Sequence, residues 1–365
     1  MMTRFQEIGS LFAIACTSSA RQASARNCLA SLIAITFLIL VPGCPSIKNA
    51  TVEHGNVCID LSPDGKTLVF SSADGDLYLF DIAASTVTRL TDTDRIESYP
   101  SFSPDGKQIT FAATENASEP SRIYVLTLDD HSIHAVTDGQ GQCDILPRFT
   151  PNGKQIVFAR AYQHRPYSMG GWVWDKWDVC LINDDGTELS RLTEEGYYQI
   201  DRIVPSSEEN FIYAADSLGT ADPAILYKVS PNVKPTQLVP EPGTHNRNIH
   251  AWAADPMVSP DGSTIVFCSD RTKPFWYDVC VKTGDANPRG LVGSKSRHNR
   301  FPDFTPDGQR IVFLAGTESN ASNRSIYSLW EVTLSGETRE LASSDLFTDP
   351  AQWQPPNPTG PNDES

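Results

Sequence analysis

Short runs in which apolar and polar residues alternate recur along this chain, and tight-turn residues separate them. Tyr99-Pro100-Ser101-Phe102-Ser103-Pro104-Asp105-Gly106-Lys107-Gln108-Ile109-Thr110-Phe111 is the clearest example. The alternation on each side has the period of a half-buried strand. Between the two runs, proline presets φ for the second turn position, aspartate suits the third, and glycine takes the left-handed conformation that closes a bulged hairpin. The segment predicts two antiparallel strands.

The hairpin repeats. Ser62-Pro63-Asp64-Gly65 leads into Thr67-Leu68-Val69-Phe70, Thr150-Pro151-Asn152-Gly153 into Gln155-Ile156-Val157-Phe158, Ser259-Pro260-Asp261-Gly262 into Thr264-Ile265-Val266-Phe267, and Thr305-Pro306-Asp307-Gly308 into Arg310-Ile311-Val312-Phe313. A degenerate copy, Pro205-Ser206-Ser207-Glu208, precedes Asn210-Phe211-Ile212-Tyr213. The six copies are spaced by 41, 47, 55, 54 and 46 residues. Each is followed by a third apolar run, such as Leu77-Tyr78-Leu79-Phe80 or Ile123-Tyr124-Val125-Leu126, and often by a short fourth ending Leu-Thr, as at Arg89-Leu90-Thr91. Four strands per unit of about 40–50 residues is the signature of a propeller blade, whose two faces are buried only in a closed ring. The expected fold is all-β: a six-bladed β-propeller of four-stranded antiparallel blades. Phe347-Thr348-Asp349-Pro350-Ala351-Gln352-Trp353 begins like a seventh repeat. It is expected to close the ring against the first blade, the alternative being seven blades with a composite closing one.

The repeated motif resembles the TolB-like propeller repeat, roughly Pro-x-aromatic-Ser-Pro-Asp-Gly-x-x-Ile-x-Phe, over residues 56–355. That family includes the propeller of TolB, propellers attached to serine peptidases, and oligogalacturonate lyases. TolB carries an α/β domain before its propeller, and no room for one is expected here. The peptidases carry a hydrolase domain with Gly-x-Ser-x-Gly, which this sequence lacks. The resemblance implies the fold and leaves function open.

Composition narrows the classes. The 49 Gly and Pro residues are spread over turns, which fits many short strands in one domain, residues 56–355, rather than disorder. Residues 356–365, Pro-rich and polar, are expected to be a disordered tail. Residues 1–44 hold three Arg and one Glu, so the remainder carries 26 basic and 44 acidic residues, a net charge of −18. So acidic a surface argues against nucleic-acid binding.

Leu29 to Val41 is an uninterrupted run of 13 apolar or small residues after Arg21 and Arg26. It is short for a bilayer-spanning helix and right for a secretory h-region. Val41-Pro42-Gly43-Cys44 follows and looks like a bacterial lipobox, with Cys44 as the lipidated residue and residues 45–55 as a tether. Leucine is commoner where Val41 stands, and Pro42 is unusual. Multiple acyl chains would give stable anchoring. The alternative is a plain signal peptide or uncleaved anchor. The expected location is the periplasm or outer membrane, or the cell surface, with the membrane contacted through the lipid.

Eight cysteines occur, five of them in the repeats. Export would permit disulfides. Cys268 and Cys280 could face each other across one hairpin, whereas Cys58, Cys143 and Cys180 read as buried thiols. No Cys-x-x-Cys suggests zinc or redox chemistry.

Strand direction reverses at each turn, so all Pro-Asp-Gly turns share one face of the disc and the long, dissimilar loops share the other. Irregular loops on a rigid scaffold are where binding sits. The longest, 159–177, groups Tyr162, Tyr167, Trp172, Trp174 and Trp177 with Arg160, His164 and Arg165. It reads either as an aromatic platform or as a cap on the hairpin core. The segments around His245 to Trp252, Asp270 to Lys273 and Lys295 to Arg300 concentrate positive charge on the same face, which would draw an anionic ligand. Asp144 and Asp201, near strand starts on that face, read as turn caps. The candidate ligand-binding residues are therefore Arg160, His164, Trp172, Trp174, His250, Arg271, His298 and Arg300. His245, His250 and His298 form a weaker candidate set for a divalent metal, the only cofactor the sequence suggests; no catalytic pair is evident. These features predict a monomeric, non-catalytic binding propeller for an envelope protein or peptide, or for an anionic glycan. The alternative is a metal-dependent lyase or hydrolase acting on an anionic polysaccharide.

Overall fold

The computed structural model describes residues 58–343 except 73, 116–118, 167–170, 217–223, 240–251, 271–276, 294–297 and 319–324. The expected signal segment with Cys44, the expected tether, Phe347–Trp353 and the expected tail lie outside the described residues.

The described chain forms six four-stranded antiparallel sheets. Blade 1 is β1 (Ile59–Leu61), β2 (Thr67–Ser71), β3 (Leu77–Asp81) and β4 (Thr86–Arg89); blade 2 is β5 (Ile96–Phe102), β6 (Gln108–Thr114), β7 (Arg122–Thr127) and β8 (Ile133–Ala135). Blade 3 is β9 (Cys143–Phe149), β10 (Gln155–Pro166), β11 (Trp172–Asn183) and β12 (Ser190–Arg191); blade 4 is β13 (Gln199–Pro205), β14 (Phe211–Asp216), β15 (Ile225–Ser230) and β16 (Val233–Gln237). Blade 5 is β17 (Ala253–Val258), β18 (Thr264–Ser269), β19 (Asp278–Thr283) and β20 (Arg289–Val292); blade 6 is β21 (His298–Phe304), β22 (Arg310–Glu318), β23 (Ser325–Thr333) and β24 (Thr338–Ala342). The first strands of neighbouring blades pack on one another around the axis. The six-bladed reading holds among the described residues.

One packing rule runs round the ring. The aromatic that ends the repeat motif lies opposite one fixed position of the third strand: Phe70 opposite Tyr78, Phe111 opposite Tyr124, Phe158 opposite Cys180, Tyr213 opposite Tyr227, Phe267 opposite Cys280 and Phe313 opposite Trp330. Where the clusters resolve it, each pair faces the preceding blade. Phe111 and Tyr124 pack on Val69 and Leu77 of blade 1. Phe267 and Cys280 meet Ala214 and Leu226 of blade 4. Phe70 and Tyr78 of blade 1 meet Val312, Leu314 and Leu329 of blade 6, so the ring closes by the same rule. Burying such aromatics contributes about 1.5–3 kcal/mol each, and only in the ring.

The Pro-Asp-Gly turns form a collar. Their glycines sit at φ between +66° and +74°, the left-handed region the sequence predicts. A Cβ on Gly106 would lie 3.6 Å from Cδ of Pro63, and one on Gly153 would lie 3.7 Å from Pro104, each in the preceding blade. On Gly65 of blade 1 it would lie 2.8 Å from Pro306 of blade 6. Gly262 meets nothing within 4 Å, because blade 4 has lost its turn proline.

The Leu-Thr endings also have a structural reason. Thr91, Thr137 and Thr193 accept a third-strand N–H through Oγ1, from Leu77, Ile123 and Val179 at 2.9, 3.0 and 2.9 Å.

The five described cysteines are buried and none is joined in a disulfide. For Cys268 and Cys280 this corrects the disulfide possibility. Cys280 lies opposite Phe267, and Cys268 opposite Val279, so the two thiols point to opposite faces of the sheet. Burial pushes the Cys58, Cys143 and Cys180 thiols up to about 12, which keeps them protonated and unreactive.

Candidate functional site

Every hairpin of the form β2–β3 ends on the face opposite the collar. The largest differs from expectation: residues 159–177 are mostly strand. β10 and β11 stay in register from Gln155 opposite Asn183 out to Pro166 opposite Trp172. β9 pairs with β10 only as far as Cys143 opposite Ala161. Beyond that point the two strands continue as a ribbon.

The ribbon carries a ring stack. His164 lies opposite Trp174, with centroids 4.4 Å apart and planes at 15°, and its ring is 5.1 Å from that of Trp172. Trp172 is 57% exposed and His164 is exposed, whereas Trp174 and Trp177 are buried in the blade 3 cluster. The sequence left platform and core cap as alternatives. Exposure differs along the ribbon: Trp172 and His164 are exposed, and Trp174, on the same face, and Trp177 are buried.

The cationic candidates are placed differently. Arg160 is buried and donates from Nε and Nη2 to Asp144, at 2.6 and 2.8 Å. Asp144 is therefore half of a bidentate ion pair rather than a turn cap. Its burial raises the carboxyl pKa, and Arg160 opposes that shift. Arg300 donates from Nε to Asp255 at 2.5 Å and lies over the Tyr277 ring. Arg165 is bonded to Asp175 on the ribbon. Arg89 and Arg191 repeat the device on Asp76 and Asp178. Each of these arginines is thus held by an aspartate of this chain. His298, half-buried, stands 5.9 Å from Tyr277. His245, His250 and Arg271 lie outside the described residues, as does most of the expected positive sector.

Two neighbouring carboxylates stand on β13 and β14: Asp201, which the sequence read as a turn cap, and Asp216, which it did not single out. Asp216 accepts the Gln199 N–H at 2.7 Å, and burial with nearby Asp201 and Asp175 pushes its carboxyl up to about 7. Burial similarly raises Asp201 to about 6, although Arg300 opposes it. Asp201 is bonded through its side chain to Gln199 at 3.4 Å. A cleft of about 220 Å³ opens at the same end of blade 2, lined by Thr114, Glu115, Glu119, Arg122 and Tyr124 among others. No group of three His, Cys, Asp or Glu residues among the described ones is spaced to hold a metal.

Residues 47–170 match the family described as the TolB beta propeller domain. The "Tol-Pal system protein TolB" of Francisella tularensis subsp. mediasiatica is 39% identical over 79 residues, covering 21% of this chain and 18% of that protein. Among solved structures, TolB from Acinetobacter baumannii superposes with a TM-score of 0.55 at 16% identity, over 78% of this chain and 62% of that one. An oligogalacturonate lyase from Vibrio parahaemolyticus superposes with a TM-score of 0.53 at 12% identity, over 80% of this chain and 81% of that one. The chain thus spans less than two thirds of either TolB relative. At these identities the superpositions show the fold alone.

Proposed function

We propose, for a chain that belongs to the TolB-like β-propeller repeat family, a non-catalytic role: an exported, lipid-anchored propeller of the bacterial envelope that holds a protein partner on its long-loop face. The observation that carries this is the β10–β11 ribbon, which lifts Trp172 and His164 clear of a disc whose other aromatics are mostly buried. An exposed tryptophan stacked on a second ring, held by an extended hairpin, is a rigid apolar contact of the kind that dominates protein interfaces. The opposite face, by contrast, is a collar of turns packed on one another. The curated relative bears the name of a Tol-Pal system protein, which supports an envelope protein as partner. The hydrophobic run from Leu29 to Val41, with Cys44 shortly after it, supports export and lipidation.

The test is capture from envelope extracts with the tagged, membrane-anchored protein. Trp172→Ala and His164→Ala should abolish recovery of the partner and leave the unfolding transition in place. Undiminished capture by both variants would overturn the reading. The alternative, a metal-dependent lyase or hydrolase, rests on His245, His250 and His298. It predicts bound metal in the purified protein and unsaturated products from pectate.

A further inference from the structure

Four charged side chains meet at the axis on the collar side of the ring. Asp60 of blade 1 accepts from Nη2 of Arg148 in blade 3 at 2.5 Å, and from Nη2 of Arg202 in blade 4 at 3.2 Å. Its other oxygen accepts the Phe102 N–H of blade 2 at 2.9 Å. Arg202 also reaches blade 6, donating from Nη1 to the Pro302 carbonyl at 2.9 Å and from Nη2 to Asp303 at 3.5 Å. Asp303 in turn accepts the Leu61 N–H of blade 1 at 3.2 Å. Asp60, Arg202 and Asp303 are all buried.

We propose that Arg202 is the latch of the ring, and that the seam between blades 6 and 1 opens as a local unit when that latch is released. Blades 1 and 6 hold the first and last described strands. Among the described residues neither sheet takes a strand from the other end of the chain. Backbone pairing therefore does not hold this seam within the described structure; side chains do. Each side-chain bond of the axial cluster joins two different blades. The cluster has no value to a single sheet and exists only in the closed ring. It is also balanced, two guanidiniums against two carboxylates, so removing one member leaves buried charge uncompensated.

The chain departs from its own repeat to place Arg202. Six residues separate the innermost pairs of the first hairpin in five blades, as between Phe102 and Ile109; five separate Pro205 from Phe211. The first strands of blades 2 to 6 each carry a bulge, where the register slips by one. In four of them a positive-φ residue (Tyr99, Leu146, Asp255, Phe301) precedes a proline. In blade 4 the bulge falls on Asp201 and Arg202, neither at positive φ, so Arg202 stands where those four blades carry the proline. Bulges re-aim side chains, and this one aims a guanidinium across the axis. The cost of losing the repeat's turn in blade 4 falls where the cross-axis contact is gained.

Amide hydrogen exchange of the full chain tests the proposal, because Leu61 and Phe102 donate directly into the cluster. In the wild type at sub-denaturing urea, peptides spanning 58–62 and 299–304 should exchange through an opening that is easier than global unfolding. Arg202→Met, which keeps the length and removes the charge, should speed exchange of those peptides at least tenfold while the interior strands of blades 2 and 3 change less than twofold. Asp303→Asn should give the same pattern more weakly, and serves if the arginine variant does not fold. Equal acceleration in all blades, no acceleration in any, or a wild-type seam that exchanges only on global unfolding would each overturn the latch.

Discussion

Ring closure can be measured with two alanines. Gly65 and Gly262 occupy the same turn position in blades 1 and 5, at φ +73° and +74°. Alanine at either must adopt a left-handed conformation, which costs about 1–2 kcal/mol. Their surroundings differ. A Cβ at 262 enters open space, whereas at 65 it would stand 2.8 Å from Cδ of Pro306, a ring atom that cannot swing away. Overpacking of that kind adds about 1–3 kcal/mol. Gly65→Ala should therefore lose roughly 2–5 kcal/mol and Gly262→Ala roughly 1–2 kcal/mol, the difference being the contact between the last blade and the first. Pro306→Ala removes the opposing ring, so the Gly65→Ala/Pro306→Ala double variant should recover about 1–3 kcal/mol relative to additivity. Urea unfolding with shared m-values gives all four corners of the cycle. Equal losses at the two glycines, with no coupling to Pro306, would refute the closed collar.

Other consequences are quicker to state. Asp144→Ala should destabilise by about 3–5 kcal/mol, because it strands the buried Arg160 guanidinium, yet the folded fraction should capture partner normally; loss of capture at unchanged stability would return Arg160 to the binding surface. Trp177→Ala should cost about 3–5 kcal/mol in the blade 3 cluster, against less than about 0.5 kcal/mol for the exposed Trp172→Ala, as read from chemical unfolding. The pH dependence should run opposite to ordinary acid unfolding over part of its range. Burial raises Glu97 from 4.5 to about 7, Asp216 from 3.8 to about 7, and Asp201 from 3.8 to about 6. The folded state holds these protons where the unfolded chain has released them, so stability falls as pH rises from near 4 to near 7 and then levels. Asp64, Asp105 and Asp307, lowered by their turn hydrogen bonds, oppose this only as pH drops below 3.8. The melting temperature should therefore be higher near pH 5 than at pH 8, and the reverse order would show that these carboxyls are not buried as described.

The repeated positions were legible because each answers to a local rule. Pro63 and Gly65 are fixed by turn geometry, Val69 and Phe70 by burial on alternate faces, and six repetitions of those rules specify a ring. Cys280 illustrates the limit. It stands where the repeat puts tyrosine, so the sequence shows that it lies in the sheet, but its nearness to Cys268 in a hairpin suggested a disulfide that register forbids. The arginines show a second limit. Composition reveals Arg160 and Arg300 near the long loops, yet charge is available only if nothing local neutralises it, and Asp144 and Asp255 come from strands whose register the sequence does not give. The 159–177 excursion shows a third: length and aromatic content read as a loop, while what makes it a ribbon is the pairing of its two arms, a register the sequence does not give. Arg202 joins these cases. The lost turn in blade 4 is visible as Pro205-Ser206-Ser207-Glu208, but it reads as decay until the axis shows what the shorter hairpin aims. In a repeat fold the regular positions carry the scaffold, so distinct function has to reside in departures from the repeat. A departure is informative when it breaks a local rule and gains a contact between blades, as Arg202 does.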